Sequence, residues 1–249
     1  MKKKEKRQQQ LVDILRKHSG CTIHQMAKFL DYSEMTIRRD VEELVAKKQI
    51  EFIGGALVLR KNRNSLYDVE DEILAFQEEK RKIANYAASL VKNSDTVMCD
   101  IGSTVSFVAD AIASSFNGTI ITSSYPVISK CVGRPSTLIA GGGLYHKETG
   151  MFDSDDYKRT LSMKKADIAF ISASAIHPVH GAMCINEYEV AYKKIMLENS
   201  IYKVLLVDSS KWNKISTNWF ADLSVFDEIV MDKNEMIEEM ETYNNVKLI

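Results

Sequence analysis

Nowhere in these 249 residues does an apolar run approach the roughly 18 needed to cross a bilayer. The opening MKKKEKRQQQ leads into an amphipathic pattern where a secretory signal would carry an apolar core. A cytoplasmic protein with no membrane partner is expected. Cysteine is sparse and scattered: Cys21, Cys99, Cys131 and Cys184 make no C-x-x-C pair and no framework spacing, which argues for free thiols and against disulfides or zinc. No G-x-x-x-x-G-K-[ST] occurs, and no G-x-G-x-x-G opens a helix, so nucleotide hydrolysis and dinucleotide redox chemistry are disfavoured and no cofactor is expected. Internal repeats, low-complexity tracts and coiled-coil heptads are also missing.

What is present is unevenly distributed. The formal net charge is −1, yet residues 1–63 hold 15 Lys and Arg against 8 Asp and Glu, while the remainder holds 18 against 26. A basic head on an acidic body suits a polyanion such as nucleic acid. Within the head, Leu11, Ile14, Leu15 and His18 fall on one helical face. Thr22 and Gln25 fit a capping box for a second, short helix whose apolar side is Ile23, Met26, Ala27 and Leu30. Asp31 and Tyr32 make a turn, and Ser33 is a good N-cap for a third helix that turns Ile37, Val41, Leu44 and Val45 inward.

The opposite face of that third helix shows Met35 and Arg39, flanked by Thr36 and Arg38. Two short helices joined by a tight turn, the second capped and presenting Met, Thr and Arg outward, match a helix-turn-helix that enters the DNA major groove. Arginine can bond guanine bidentately, and Thr and Met can touch thymine methyls. The following IEFIGGALVL reads as a two-stranded ribbon turning at Gly54-Gly55, with basic Arg60, Lys61 and Arg63 behind it, so a winged helix is expected. The organisation expected is a DNA-binding domain over 1–60, a linker over 61–76 and a larger domain over 77–249. A helix starting near residue 69 should run on through Ile83, Ala87, Leu90 and Val91 into that domain.

From residue 95 apolar β-rich runs alternate with helical patterns: DTVMCDI, TIITSS, STLIAGG, DIAFISASAI, YKVLLVDSS and DEIVMD. This predicts an α/β domain with a mostly parallel sheet. Ligands in such sheets bind beyond the carboxyl ends of the strands. There stand Asp100, Gly102, Ser103 and Thr104, whose loop amides and hydroxyls could hold a phosphate, then Ser123 and Ser124, and then Gly141 and Gly142. Gly181, Asn186, Glu189 and Lys193 follow, and Asp208 and Lys211 close the set, with Lys211 as a point charge for a phosphorylated polyol. Blander readings stand beside these. Glu189 and Lys193 also fit an exposed helical ion pair worth a few tenths of a kcal/mol (roughly 0.2–0.5). His177 and His180 lack a third metal ligand, and Trp212 and Trp219 are expected to pack rather than stack on a ligand.

Over nearly its whole length the sequence resembles the DeoR family of transcriptional regulators. SEMTIRRDVEEL resembles that family's recognition helix and GGA at 54–56 its wing. DIGST, TSS, IAGG, DIAFISASAI, Glu189 with Lys193, and VDSSKW occur in the order of its sensor motifs. Ser123 stands where Asn is common and Ser103 where Thr is frequent, and EFIGGA lacks the Arg and His that many wings carry. The resemblance implies a repressor of a sugar or nucleoside catabolic operon, with a sensor domain like ribose 5-phosphate isomerase. Its expected partners are operator DNA and a phosphorylated sugar. IHPVHGAMCINEYEVAYKK is most similar to members that govern deoxyribonucleoside catabolism, which implies deoxyribose 5-phosphate as effector. One short helix reads few base pairs, so at least a homodimer is expected. A sugar-phosphate isomerase using Asp100, Asp208, Glu189 and Lys211 is the alternative.

Overall fold

The computed structural model describes residues 3–17, 21–47, 49–53, 56–59, 68–112, 114–233 and 243–249. The chain divides into two compact units, Met1–Tyr67 and Asp68–Ile249. The first contains α1 (Lys3–Lys17), α2 (Ile23–Leu30), α3 (Glu34–Ala46) and the strands β1 (Ile50–Ile53) and β2 (Ala56–Leu59). The apolar stripes meet as their spacing requires, with Leu11, Leu15, Met26, Ile37, Val41, Leu44, Ile50 and Leu57 in one buried core. Burying each such side chain stabilises by about 1.5–3 kcal/mol. β1 and β2 pair antiparallel, Ile50 opposite Leu59 and Ile53 opposite Ala56, which gives the helix-turn-helix its winged hairpin. The Gly54-Gly55 turn, His18, and Arg60, Lys61 and Arg63 lie outside the described residues.

A buried ion pair, absent from the sequence reading, locks α1 to α3. Asp40 is 1% exposed and receives Arg7 through Nε and, at 3.1 Å, through Nη2. The Arg7 guanidinium also lies over the Tyr32 ring at 4.8 Å. Periodicity places Asp40 beside Ile37 and Val41 on the inward face, and only the arginine makes that tolerable.

The second unit begins with α4 (Val69–Leu74) and α5 (Gln77–Ser89), followed by β3 (Thr96–Cys99), α6 (Ser103–Ala111), β4 (Thr119–Thr122), α7 (Tyr125–Cys131) and β5 (Thr137–Ala140). Next come β6 (Leu144–His146), β7 (Met151–Asp153), α8 (Asp155–Ser162), β8 (Ala166–Ser172), β9 (Ala175–His177) and β10 (Gly181–Cys184). The remaining elements are α9 (Glu187–Asn199), β11 (Ser200–Leu206), β12 (Asn218–Ala221), β13 (Glu228–Met231) and β14 (Val246–Leu248). Seven strands form one sheet in the order β14-β13-β11-β8-β3-β4-β5, every pair parallel. Two small antiparallel sheets, β12-β10-β9 and β6-β7, stand apart from it.

The alternation of side chains along the central strands sorts them between two cores. Val97, Cys99, Ile168, Phe170, Val204 and Leu206 pack on one side with Ile83 and Ala87 of α5 and Val105 and Val108 of α6. Met98, Ala169, Ile171 and Leu205 pack on the other with Leu161 of α8 and Tyr192 and Met196 of α9. Both faces are covered, which is why these strands read as continuous apolar runs.

Three expectations are corrected. The single helix from 69 to 91 is two helices: Ala75 is extended and Phe76 is left-handed at φ 52°. A non-glycine residue there costs about 1–2 kcal/mol, and no Gly or Pro announces the break. The break lets the Lys80 ammonium fold back onto the Glu72 carbonyl oxygen at 2.5 Å. Residues 68–76 therefore belong to the second unit rather than to a linker. Finally, DIAFISASAI is not one strand, because β8 ends at Ser172 and β9 pairs with β10 in a separate sheet.

Removing the carboxylate with Asp40→Ala should destabilise the first unit by about 3 kcal/mol, since it strands the Arg7 charge. Hydrogen exchange at the α3 amides, faster in the variant by the corresponding factor, is the check.

Candidate functional sites

The sequence-derived recognition residues divide into those that shape the helices and those that face outward. Thr22 and Gln25 form the expected capping box: Thr22 Oγ1 accepts the Gln25 N–H at 3.2 Å, and Gln25 Oε1 accepts the Thr22 N–H at 2.8 Å. Ser33 Oγ accepts the Thr36 N–H at 3.3 Å and lies 2.9 Å from Thr36 Oγ1, so Thr36 is half-buried and partly engaged in the cap. Met35 is 62% exposed, and Arg38 and Arg39 are exposed beside it. Among the described residues neither arginine has a hydrogen-bond or ion-pair partner, so both guanidinium groups are available to an anion.

In the second unit the carboxyl edge of the large sheet gathers two polar clusters. The first is built on β3, β8 and α9. Asp100, just past β3, accepts the Ser172 N–H at 2.9 Å and the Lys193 ammonium at 2.5 Å on Oδ2, with Ser172 Oγ at 3.0 Å. Lys193 also donates to the Ser172 carbonyl oxygen at 2.9 Å and lies 3.7 Å from Glu189 Oε2. Asn186 Nδ2 donates to the other Glu189 oxygen at 2.8 Å. Lys193 and Glu189 are 1% and 5% exposed, so the exposed helical pair is excluded. Burial alone would depress the Lys193 ammonium, but Asp100 and Glu189 hold it above the usual lysine range. Burial pushes the Glu189 carboxyl up, against the opposing pull of Lys193 and Asn186.

Next to this cluster Gly102 opens α6 at φ 117°, and a Cβ on it would lie 2.6 Å from Ser172 Oγ. No side chain caps α6, whereas α7 and α8 are capped by Ser124 and Ser154. The first-turn amides of α6, with the Ser103 and Thr104 side chains around them, are thus placed to receive an anion. Ser124 is committed to its cap on Val127 N–H at 3.4 Å, and Ser123 is buried against Gly141. Gly141 has a packing reason, because its Cβ would meet Ser123 and the Tyr157 ring, while a Cβ on Gly142 would meet nothing within 4 Å.

The second cluster sits beyond β11. Asp208 Oδ1 accepts the Ser210 N–H at 3.0 Å, while its buried Oδ2 has no hydrogen-bond partner among the described residues and lies 3.8 Å from Lys80 Nζ. Lys211, expected as an open point charge, is paired with Glu72 Oε2 at 2.9 Å. Lys80, Glu72 and Ser172 were missed by sequence reasoning. Lys80 lies in EEKRK, a run that ordinarily marks a solvated face, and Ser172 was hidden inside an apolar run that continued past it.

One expected effector residue does not join these clusters. Gly181 begins β10, about 10 Å along that extended strand from Cys184, which precedes Asn186. Its φ of 70° and a Cβ only 2.4 Å from the Ala221 carbonyl oxygen give it a structural reason to be glycine. Trp212 packs edge-on against Tyr243, but Trp219 is 49% exposed with Lys194 over its ring at 5.0 Å. His177 Nδ1 accepts the Val179 and His180 N–H groups at 3.1 and 3.3 Å, which closes the β9-β10 turn.

Residues 7–62 match the DeoR-like helix-turn-helix domain and residues 75–233 match the DeoR C terminal sensor domain. The chain belongs to the DeoR family. It is a transcriptional regulator, with a helix-turn-helix unit and a parallel α/β sensor unit. Its relatives in the family include the deoxyribose operon repressor of Escherichia coli K12, 32% identical over 92% of this chain and 91% of that one. The lactose phosphotransferase system repressor of Staphylococcus epidermidis is 28% identical over 95% of this chain and 96% of its own. Ribose 5-phosphate isomerase A from Methanocaldococcus jannaschii aligns over 56% of each chain at 20% identity with a TM-score of 0.41.

In this DeoR-family sensor, Lys193→Met should cost about 3–5 kcal/mol by leaving Asp100 buried without its cation, and adding Asp100→Asn should recover part of the loss. Trp212 and Trp219 both lie in the second unit, so their fluorescence in urea isolates its unfolding. A second expectation concerns pH. With Glu189 raised above its ordinary 4.5, the unfolded chain ionises first, so its contribution to stability is full below 4.5 and is lost as pH rises through the folded value. The stability of the wild type relative to Glu189→Gln should therefore fall as pH is raised from about 4.5.

Proposed function

We propose that the protein is a repressor of a sugar or nucleoside catabolic operon, released from its operator by a phosphorylated sugar. The observation that carries the DNA half is the outward face of α3, where Met35, Arg38 and Arg39 stand together and the arginines have no partner among the described residues. Thr36 contributes from the half-buried edge, and Thr22 and Ser33 act by holding α2 and α3 in shape. Because α3 is one 13-residue helix, adequate affinity calls for a homodimer or larger assembly on repeated half-sites.

The effector half rests on the carboxyl edge. The uncapped amides at Gly102, Ser103 and Thr104 suit the phosphate, with Lys211 as a point charge for it, and Asp100, Ser123, Gly142, Asn186, Glu189 and Asp208 suit the hydroxyls of a polyol. Deoxyribose 5-phosphate is the first candidate, supported by the name of the deoxyribose operon repressor. The relatives named above are regulators, which favours regulation over isomerisation of the same sugars. Purified protein should leave pentose phosphates unconverted.

Fluorescence anisotropy on promoter fragments at moderate salt tests the whole reading. Wild-type protein should prefer one fragment over random duplex, and Arg38→Ala or Arg39→Ala should weaken that binding about tenfold or more. Saturating deoxyribose 5-phosphate should lower operator affinity by roughly 5- to 150-fold. No preference for any promoter fragment over random duplex would end the repressor reading.

A further inference from the structure

Lys80 is fully withdrawn from solvent, an unusual place for an ammonium group, and the effector reading above makes no use of it. Its Nζ donates to the Glu72 carbonyl oxygen and stands 3.7 Å from Glu72 Oε2 and 3.8 Å from Asp208 Oδ2. The same Glu72 Oε2 receives Lys211 at 2.9 Å. One carboxylate oxygen therefore serves two ammonium groups. The four charges differ in how they are held. Asp208 is 1% exposed and fixed by Ser210, whereas Glu72 is 22% exposed and projects from the six-residue helix α4. α4 packs on α6, whose uncapped N-terminus is the Gly102 loop.

Burial keeps the Lys80 ammonium below its usual range even with Asp208 and Glu72 beside it. The same carboxylates hold the Lys211 ammonium above its usual range against the cost of burial, so Glu72 is shared between one lysine it satisfies and one it does not. A phosphate brings more charge than a carboxylate and several acceptor oxygens, enough to serve both lysines at once. A neighbouring hydroxyl would then donate to Asp208 Oδ2, the buried acceptor that has no hydrogen-bond partner among the described residues.

We propose that Glu72 is an internal competitor: its carboxylate occupies an anion seat formed by Lys80 and Lys211, and the phosphate of the effector takes that seat by displacing it. This rests on the sugar-phosphate reading above and adds its regulation. Displacement removes one side-chain tether of α4, the first element of the second unit along the chain from the DNA-binding head. The competitor also sets the threshold of response, since the apparent affinity falls by the fraction of molecules in which the seat is taken.

Calorimetric titration of the full chain with inorganic phosphate, at constant ionic strength, tests the seat. Glu72→Gln keeps the shape of the side chain and removes its charge, so it should bind phosphate about tenfold tighter than wild type or better. Glu72→Asp, which withdraws the carboxylate by one methylene, should fall between them. Adding Lys211→Ala to Glu72→Gln should abolish the gain. Equal or weaker binding by Glu72→Gln, binding by neither protein, or a gain that survives Lys211→Ala would each overturn the proposal. The two readings fail separately. Unchanged phosphate affinity in Glu72→Gln alongside operator release by deoxyribose 5-phosphate removes only the competitor. A gain in phosphate affinity in a protein that prefers no promoter fragment removes only the repressor.

Discussion

The sensor unit is organised around one contact, the Lys193 ammonium against the Asp100 carboxylate at the middle of the sheet. A cation 1% exposed must be neutralised and hydrogen-bonded, or its desolvation would cost several kcal/mol. Meeting that demand recruits three elements at once: Asp100 from the end of β3, Ser172 from the end of β8, and α9, which carries the lysine itself together with Glu189. Because Ser172 gives both its amide and its hydroxyl to this arrangement, it leaves space beside it only for a residue without a Cβ. That residue is Gly102, and its left-handed backbone turns the chain into α6 with the first amides uncapped. The uncapped start of α6 is therefore a consequence of the buried pair, not a separate feature of the sequence.

How much of this was legible depended on whether a residue's role follows from its neighbours in sequence. The caps at Thr22 and Ser33, the stripes of α1 to α3, and the assignment of strands to a parallel sheet were readable because each rests on local spacing. Asp100, Glu189 and Lys193 stood out because they follow strands or sit one helical turn apart, and the structure brings them into one buried cluster. What the sequence does not carry is the compensation between distant charges. Arg7 with Asp40 and Lys80 with Asp208 join residues 33 and 128 positions apart, and nothing beside any of them marks the partner. The left-handed Phe76 is likewise invisible, since its cost is met by contacts that form only in the folded unit. Ser172 shows a third kind of loss: in a strand covered on both faces, an apolar run does not mark its own end.

The two lysine clusters at the carboxyl edge are electrostatically unlike, and the difference suggests how a bifunctional ligand would be oriented. Lys193 faces two carboxylates, Asp100 and Glu189, so full ionisation would leave an excess negative charge, and burial pushes Glu189 toward its neutral form in response. A further anion has no place there. Hydroxyl groups do, because Glu189 and Asn186 offer both donors and acceptors. Lys80 and Lys211 face Asp208 and Glu72, a balanced set in which one carboxylate can be exchanged for another anion without changing the sign of the site. On the proposed reading, a pentose phosphate sets its phosphate between Lys211 and the α6 amides and turns its hydroxyls toward Asp100 and Glu189. The reverse orientation would set phosphate against two buried carboxylates and leave the exchangeable seat to its own glutamate.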